Sequence, residues 1–434
     1  MKKLAKHELW ELQQWQALPL SIKVRMTQER IRGWINEYGE DGVYVSFSGG
    51  KDSTVLLHIV RSMYPNIKAV FVDTGLEYPE IRDFVKTFDN VEWLKPKMNF
   101  RQVIEKYGYP FISKEVSECV YGARKYIKIL TDRQTDRQTD RQIIPYNAFM
   151  ADLLGIDRRI DKENQCYQAI KMGNIPKEPA RLKKLLGTLE HKEKGVLTGE
   201  KSSMYDRSRY KFFLNAPFNI SSMCCNVMKK QPTHTYSRKT GRKPMTAQMA
   251  SESKMRTQKW LQNGCNGFDM KSPISNPMAF WTEQDVLLYI KEFIQPHLKD
   301  LVCRASNLSG SLRKKARKEL RKYGYNTTGI ASVYGEVVRD WEAEGQLEGQ
   351  MDMFDMGIFY KDRRLLKTTG CDRTGCMFCG FGCHLEKSPN RFERMKETHP
   401  KQYDYIMRPT EQGGLNYKEI IDWINEHGNL DIKY

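Results

Sequence analysis

The chain has 434 residues, 40% of them hydrophobic, and a formal net charge of +18; that length builds one large domain or two ordinary ones with their own cores. No run approaches the ~18 apolar residues of a membrane helix, and Met1-Lys-Lys-Leu-Ala-Lys-His-Glu lacks a signal peptide's apolar stretch, so a soluble cytoplasmic protein is expected. In that reducing compartment the ten cysteines point away from structural disulfides and toward metal or redox chemistry.

In chain order, residues 1–40 read as a helical extension, with Trp10, Leu12, Trp15 and Leu18 forming an apolar stripe that Ile22 to Ile35 continues. Val43–Phe47 predicts a first strand, Asp52–Met63 a helix, Ala69–Asp73 a second strand, Pro79–Phe88 a second helix and Val91–Leu94 a third strand. Strands alternating with helices imply a parallel sheet with ligands at the carboxyl ends of its strands. Thr131–Gln142 repeats Thr-Asp-Arg-Gln three times. Because that period stacks like charges at i,i+4, an exposed loop or a tolerated helix extension without chemistry is expected. A domain built on these strands is expected over 41–299, with a charged helical insertion over about 131–195. A basic, helix-rich segment over 300–370 and a cysteine-led C-terminal unit over 371–434, ending in the amphipathic Tyr417–His427, follow it.

The positive charge is clustered. Arg313, Lys314, Lys315, Arg317, Lys318, Arg321 and Lys322 fall within ten residues, and a second set runs from Lys229 through Lys243 to Lys259. Such clusters suit nucleic acid, nucleotides or sulfated and phosphorylated small molecules, although neither carries a nucleic-acid reading motif and a solvated basic face is the plain alternative.

Residues 46–53, Ser-Phe-Ser-Gly-Gly-Lys-Asp-Ser, join the first strand to the first helix. Two glycines let the backbone approach a ligand, and amide groups converge on phosphate oxygens at the helix N-terminus. Lys51 adds a cation, and Asp52 a carboxylate that can orient Mg2+. The loop is too short for the Walker A spacing and lacks the dinucleotide Gly-x-Gly-x-x-Gly. Asp73-Thr74-Gly75 falls at the end of the second strand and should face the same pocket.

The cysteines form two groups, Cys224-Cys225 and, about 150 residues later, Cys371-x4-Cys376-x2-Cys379-x3-Cys383. Clustered soft thiolates suit iron–sulfur or zinc, and vicinal cysteines, unusual in structural zinc sites, favour iron–sulfur. Cys119, Cys166, Cys265 and Cys303 are expected to be buried core residues.

The loop resembles the SGGxDS loop of the ATP pyrophosphatase and phosphoadenosine-phosphosulfate (PAPS) reductase superfamily. The resemblance extends to Val72-Asp-Thr-Gly-Leu-Glu-Tyr-Pro79 and to the Trp-Thr-x-x-Asp-Val element within Pro277–Ile290, covering about residues 41–295 and 370–385. It implies an α/β fold, an adenine-nucleotide α-hydrolase-like (HUP, Rossmann-like) parallel sheet with a helical N-terminal extension, helical insertions and a Cys-rich C-terminal unit. The segment 246–256 is similar to the family's Gly-x-Arg-x-x-Glu-Ser-x-x-Arg signature and keeps Glu252, Ser253 and Arg256, but Ala247 and Met249 replace its glycine and first arginine. The cysteines resemble the two halves of the [4Fe-4S] site of assimilatory adenylyl-sulfate reductases, which implies Cys224, Cys225, Cys376 and Cys379 as ligands, with Cys371 and Cys383 extra to the pattern.

Two reactions share this architecture. In one, the loop holds ATP phosphates with Mg2+ while a substrate oxygen attacks the α phosphorus, pyrophosphate leaves, and sulfur or nitrogen later displaces AMP. In the other, a thiolate attacks the sulfur of adenylyl sulfate or PAPS, and a thioredoxin-type reductant releases sulfite. The complete loop favours ATP activation coupled to sulfur transfer, with nucleic acid as a candidate acceptor. Sulfonucleotide reduction and a non-catalytic nucleotide-binding or redox-sensing module are the alternatives. The expected phosphate cradle is Ser48, Gly49, Gly50, Lys51, Asp52 and Ser53, with Asp73, Thr74 and Gly75 beside it and Lys229, Lys230 and Arg256 neutralising charge. Lys51 and Asp52 are the expected catalytic groups, and Cys383 is the candidate nucleophile, in Gly382-Cys-His-Leu-Glu386, with His384 and Lys387 beside it to lower its pKa.

Overall fold

The structure, a computed structural model, describes residues 5–135, 180–193, 196–201, 203–324, 328–340 and 366–434. The chain divides into two compact units, one formed by Met1–Lys97 and Met228–Met377, the other by Met98–Val227 and Phe378–Tyr434.

The first unit is built on a six-stranded sheet. β1 (Val43–Ser46) pairs in parallel with β2 (Ala69–Val72), and β2 with β3 (Val91–Leu94), in the register Val45 opposite Ala69 and Val70 opposite Glu92. On the other side of β1 lies Lys243–Met245, then Ile274–Ser275, both parallel, with Asn266–Gly267 antiparallel at the edge. The fold class is therefore the expected mostly parallel α/β sheet, and the first three strands and two crossover helices fall where the hydrophobic runs predict them.

Four helices frame the early strands: α1 (Leu9–Ala17), α2 (Leu20–Tyr38), α3 (Lys51–Met63) and α4 (Pro79–Lys86). α3 is buried nearly all round: Val55, Leu56, Leu57, Ile59 and Val60 are enclosed, and so are the polar Thr54, His58 and Arg61, as a crossover helix inside a large core must be. Trp34 of α2 joins Phe280 and Trp281 in the same core. Within it, Lys23 of α2 donates to both carboxylate oxygens of Asp285 at 2.8 and 2.7 Å, so the Trp-Thr-x-x-Asp-Val element anchors the N-terminal helices. Arg61, at the end of α3, is also buried; it donates to the carbonyl oxygens of Asp89 and Asn90 and, at 2.6 Å, of Lys322.

The second unit packs helices Phe100–Tyr107, Lys114–Thr135 and Tyr417–Gly428 around Phe111, Phe213, Phe392 and Tyr417. Phe111–Ile112 pairs in parallel with Gly380–Phe381. The helix Lys114–Thr135 runs into the first Thr-Asp-Arg-Gln copy, and the rest of the repeat lies outside the described residues. Where 151–195 reads as helical insertion, the described part is a short helix, Ala180–Leu186, followed by an antiparallel pair, Glu190–Glu193 with Val196–Lys201. Cys119 and Cys265 are buried as expected, but Cys303 is exposed, accepting a hydrogen bond from Asn307 one helical turn on; Cys166 lies outside the described residues.

Candidate functional site

The site in the first unit starts from the geometry of Gly49. Its φ of +72° is a left-handed conformation that favours glycine, and a Cβ there would stand 2.8 Å from the γ2 carbons of both Ile81 and Val85 on α4. The turn delivers Gly50 in an extended conformation as the N-cap of α3. Ser53 hydroxyl donates to the Gly50 carbonyl at 2.9 Å and lies 3.0 Å from the Ser48 hydroxyl, and Thr54 closes the first turn onto the same carbonyl. The serines thus brace the loop from inside, and the helix N-terminus, with its positive dipole end, faces outward.

Lys51 is 5% exposed, and its ammonium donates to Glu283 Oε1 and, at 2.6 Å, to the Asp372 carbonyl oxygen. Glu283 begins the helix Glu283–Tyr289, and Asp372 lies on the cysteine-bearing loop after the strand Leu366–Thr368. That loop is tied down on both sides: Met377 N–H donates to Leu76 O at 2.8 Å, and the Thr374 hydroxyl meets the hydroxyl of buried Tyr334. Burial pushes the Tyr334 phenol up to about 12, and its oxygen also accepts from the Lys51 amide.

Asp52 is the chemically open group. Its buried Oδ1 has no hydrogen-bond partner among the described residues. Burial pushes the Asp52 carboxyl up, against the pull of Lys51, Arg373 and Arg256, with Glu283 adding to the rise. Arg256 is itself lowered by burial and by repulsion from Arg373. Two guanidinium groups and an ammonium therefore act electrostatically on a carboxylate with one orphaned oxygen at a helix N-terminus, while Lys51 and Arg373 also pair with Glu283 and Arg256 with Glu252. That set suits a polyphosphate and the magnesium ion it carries: the cations neutralise phosphate, and the free carboxylate oxygen is a hard donor of the kind Mg2+ takes.

Among the other expected residues, Asp73 accepts from Arg82 at 2.9 Å and from the Gly75 amide at 3.3 Å, while Thr74 bonds Glu77 through amide and hydroxyl. These bonds order the turn after β2. Arg256 pairs with Glu252, and Ser253 caps its helix. Lys229 and Lys230 are exposed, and neither is among the charges acting on Asp52. Glu283, Arg373, Tyr334 and the Asp372 carbonyl were not legible beforehand; the one available signal was Arg373, a cation between two cysteines of the same short motif.

In the second unit, Cys224, Cys379 and Cys383 all act electrostatically on the buried Tyr417, and Cys225 acts on Cys379. Arg391 donates to the Cys379 carbonyl at 2.7 Å and pairs with Glu386; Gly382 N–H donates to Ile112 O at 2.8 Å. Cys383 is 1% exposed, and burial, its largest influence, pushes the thiol up to about 12; His384 is lowered by burial. Cys371 and Cys376 lie on the loop of the first unit. As soft donors, the thiols of the second unit are of the kind an iron–sulfur cluster takes. Yet among the described residues no group of three or more His, Cys, Asp or Glu side chains is arranged to hold a metal ion.

Residues 42–135 match the model of the phosphoadenosine phosphosulfate reductase domain. The chain is 41% identical over 73 residues to an uncharacterized protein of Methanocaldococcus jannaschii, covering 16% of this chain and 18% of that protein. It is 25% identical over 116 residues to adenosine 5'-phosphosulfate reductase of Geobacillus kaustophilus, covering 27% and 46% respectively. With the Staphylococcus epidermidis enzyme of the same name it shares 24% over 94 residues, 20% of this chain and 39% of that one. The matches thus span less than half the length of each of these relatives. A solved structure, PAPS reductase from Candida auris in a phosphate complex, aligns with 12% identity and a TM-score of 0.28 over 61% of this chain and 78% of that one.

Proposed function

We propose that the chain, whose residues 42–135 match the PAPS reductase domain model, is a PP-loop member of that superfamily that binds ATP with Mg2+ at the Ser48–Ser53 loop, adenylates a substrate oxygen with release of pyrophosphate, and so prepares that position for sulfur transfer. The observation that carries this reading is the Asp52 carboxylate, with an orphaned buried oxygen amid Lys51, Arg256 and Arg373. A triphosphate needs several cations and a metal-orienting carboxylate at one helix N-terminus; a bare binding module has no use for the unpaired carboxylate. In the reaction, the α3 N-terminus and Lys51 hold the β and γ phosphates, and Arg256 and Arg373 offset the charge that builds on the departing pyrophosphate.

The second reading is sulfonucleotide reduction, favoured by the likeness to adenosine 5'-phosphosulfate reductases. There a cysteine thiolate would bond to the sulfur as AMP leaves from adenylyl sulfate, or adenosine 3',5'-bisphosphate from PAPS, and a thioredoxin-type dithiol would then take the cysteine sulfur into a disulfide and release sulfite. The burial of Cys383 weighs against it as the attacking thiol, and the loss of the signature's glycine and first arginine at Ala247 and Met249 weighs against a sulfonucleotide. Cys224 and Cys379, which both act on Tyr417, and Cys225, which acts on Cys379, support the further proposal of a [4Fe-4S] cluster; iron and acid-labile sulfide in anaerobically purified protein, compared with Cys→Ser variants of Cys224, Cys225, Cys376 and Cys379, test it.

The two reactions separate in one assay: pyrophosphate from ATP, and sulfite from adenylyl sulfate or PAPS with a dithiol present, for the wild type, Lys51→Ala and Cys383→Ala. Magnesium-dependent pyrophosphate lost with Lys51→Ala supports the activating enzyme. Sulfite lost with Cys383→Ala overturns it in favour of reduction.

A further inference from the structure

The helix Gly310–Tyr323 carries seven Lys and Arg residues and a single acidic one, Glu319. At ~100° per residue, the seven basic side chains fall within an arc of about 200°, and Ala316, Leu320 and Tyr323 fall within the opposite arc. Leu320 and Tyr323 are buried, and the helix packs on Gln295–Asn307 and on α3. On the other arc Arg313, Lys314, Lys315, Arg317, Lys318 and Arg321 are exposed. Among the described residues none of the seven makes an ion pair, although a solvated basic helix would ordinarily be laced with i,i+4 pairs to acidic residues.

The helix is also mounted rigidly. Its last turn is held by Arg61, which donates to the Lys322 carbonyl at 2.6 Å, and by Asp89 N–H, which donates to the Arg321 carbonyl at 2.8 Å. The Tyr323 hydroxyl donates to the Arg61 carbonyl at 3.2 Å. A buried arginine thus fixes the end of a helix whose free face is almost purely cationic.

We propose that this face docks on the phosphate backbone of nucleic acid. Like charges held together on one rigid face repel one another unless a polyanion lies against them, and an arc of about 200° is wide enough to reach phosphates on both walls of a groove. Nothing on the helix reads bases, so the contact is sequence-independent positioning. An anionic bilayer is the poorer partner, because Leu320 and Tyr323 of the apolar arc are buried in the core and Leu312 is the one large apolar side chain of this helix left exposed to insert. The inference stands apart from the adenylation reading, since it uses no residue of the phosphate loop.

The test is fluorescence anisotropy on the full chain with labelled 20-base-pair duplex DNA, single-stranded DNA and duplex RNA, from 50 to 300 mM salt. The variant is Arg313→Ala, Lys314→Ala, Arg317→Ala, Lys318→Ala. Its control, Lys239→Ala, Lys396→Ala, Lys401→Ala, Lys418→Ala, removes the same charge from exposed sites elsewhere. Expected are nucleic-acid binding by the wild type, a loss of at least about tenfold at 100 mM salt in the helix variant, and a log–log salt slope shallower by about 3.6 on duplex DNA, roughly 0.9 for each lost contact. The three probes decide which nucleic acid is held. No binding at 50 mM salt, an equal loss in the control, or tighter binding to phosphatidylserine vesicles than to any nucleic acid overturns the proposal. Unchanged circular dichroism in both variants shows that folding is not what was altered.

Discussion

Two neighbouring glycines in the phosphate loop are expected to respond very differently to the same substitution. Gly49→Ala puts a methyl group on a residue at φ +72° and drives it to 2.8 Å from two γ2 methyl carbons of α4. The left-handed backbone costs about 1–2 kcal/mol, and a clash with packed branched side chains adds about 1–3 kcal/mol. The sum, roughly 2–5 kcal/mol, should lower the melting temperature of a unit of this size by about 5–15 °C. Gly50→Ala sits at φ −78°, with its nearest neighbours the hydroxyls of Ser48 and Tyr334 at 3.3 Å. A small rotation accommodates them, and the entropy lost by the unfolded chain offsets much of the cost, so the change should stay within about 1 kcal/mol. Differential scanning calorimetry of both variants reads the contrast, and magnesium–ATP titration shows whether the displaced loop still binds. Equal melting temperatures would refute the claim that the loop is held left-handed against α4.

Glu283→Gln should free the Lys51 ammonium for phosphate; because Glu283 is 39% exposed, the gain is modest, about 0.2–1 kcal/mol or up to about fivefold in ATP affinity by calorimetry. Weaker binding would make Glu283 a ligand rather than a competitor. Lys23→Met strands the buried Asp285 carboxylate and should cost about 3–5 kcal/mol in urea unfolding; a cost below about 1 kcal/mol would mean the pair is solvated. His58, hydrogen-bonded to Tyr289 and His297, is lowered by burial from 6.5 to about 3. Its contribution is therefore fully present above pH 6.5 and drains away as pH falls toward 3, by about 2 kcal/mol at pH 5. His58→Gln should flatten the stability difference between pH 7.5 and pH 5, and an unchanged difference would clear His58 of that role.

The strand, glycine loop and helix around Ser48–Ser53 were legible because they are local: a run of apolar residues, two glycines and a second run determine the geometry within about twenty residues. The same holds for β2, α4 and β3, and for the amphipathic helix Tyr417–Gly428. The basic run at 313–322 was visible too, since charge is read directly from composition. What the chain by itself determined, then, was a parallel α/β sheet with a phosphate cradle at a strand end and two reserves of positive charge and thiols elsewhere.

Only the tertiary structure decided what surrounds the cradle. Glu283 reaches Lys51 from 232 positions away and the Asp372 carbonyl from 321, and no local pattern marks a residue for so distant a partner. Lys243–Met245 enters the sheet beside β1 although it is a short strand with a central proline, because the neighbouring strand and the core around Met245 supply what its own propensity lacks. Cys303 reads as a core cysteine and Cys383 as a reactive one, yet Cys303 faces solvent and Cys383 is enclosed. The physical reason is common to all three: propensity and periodicity act over a few residues, whereas burial and charge pairing are set by whichever distant segments the packing of the core brings together.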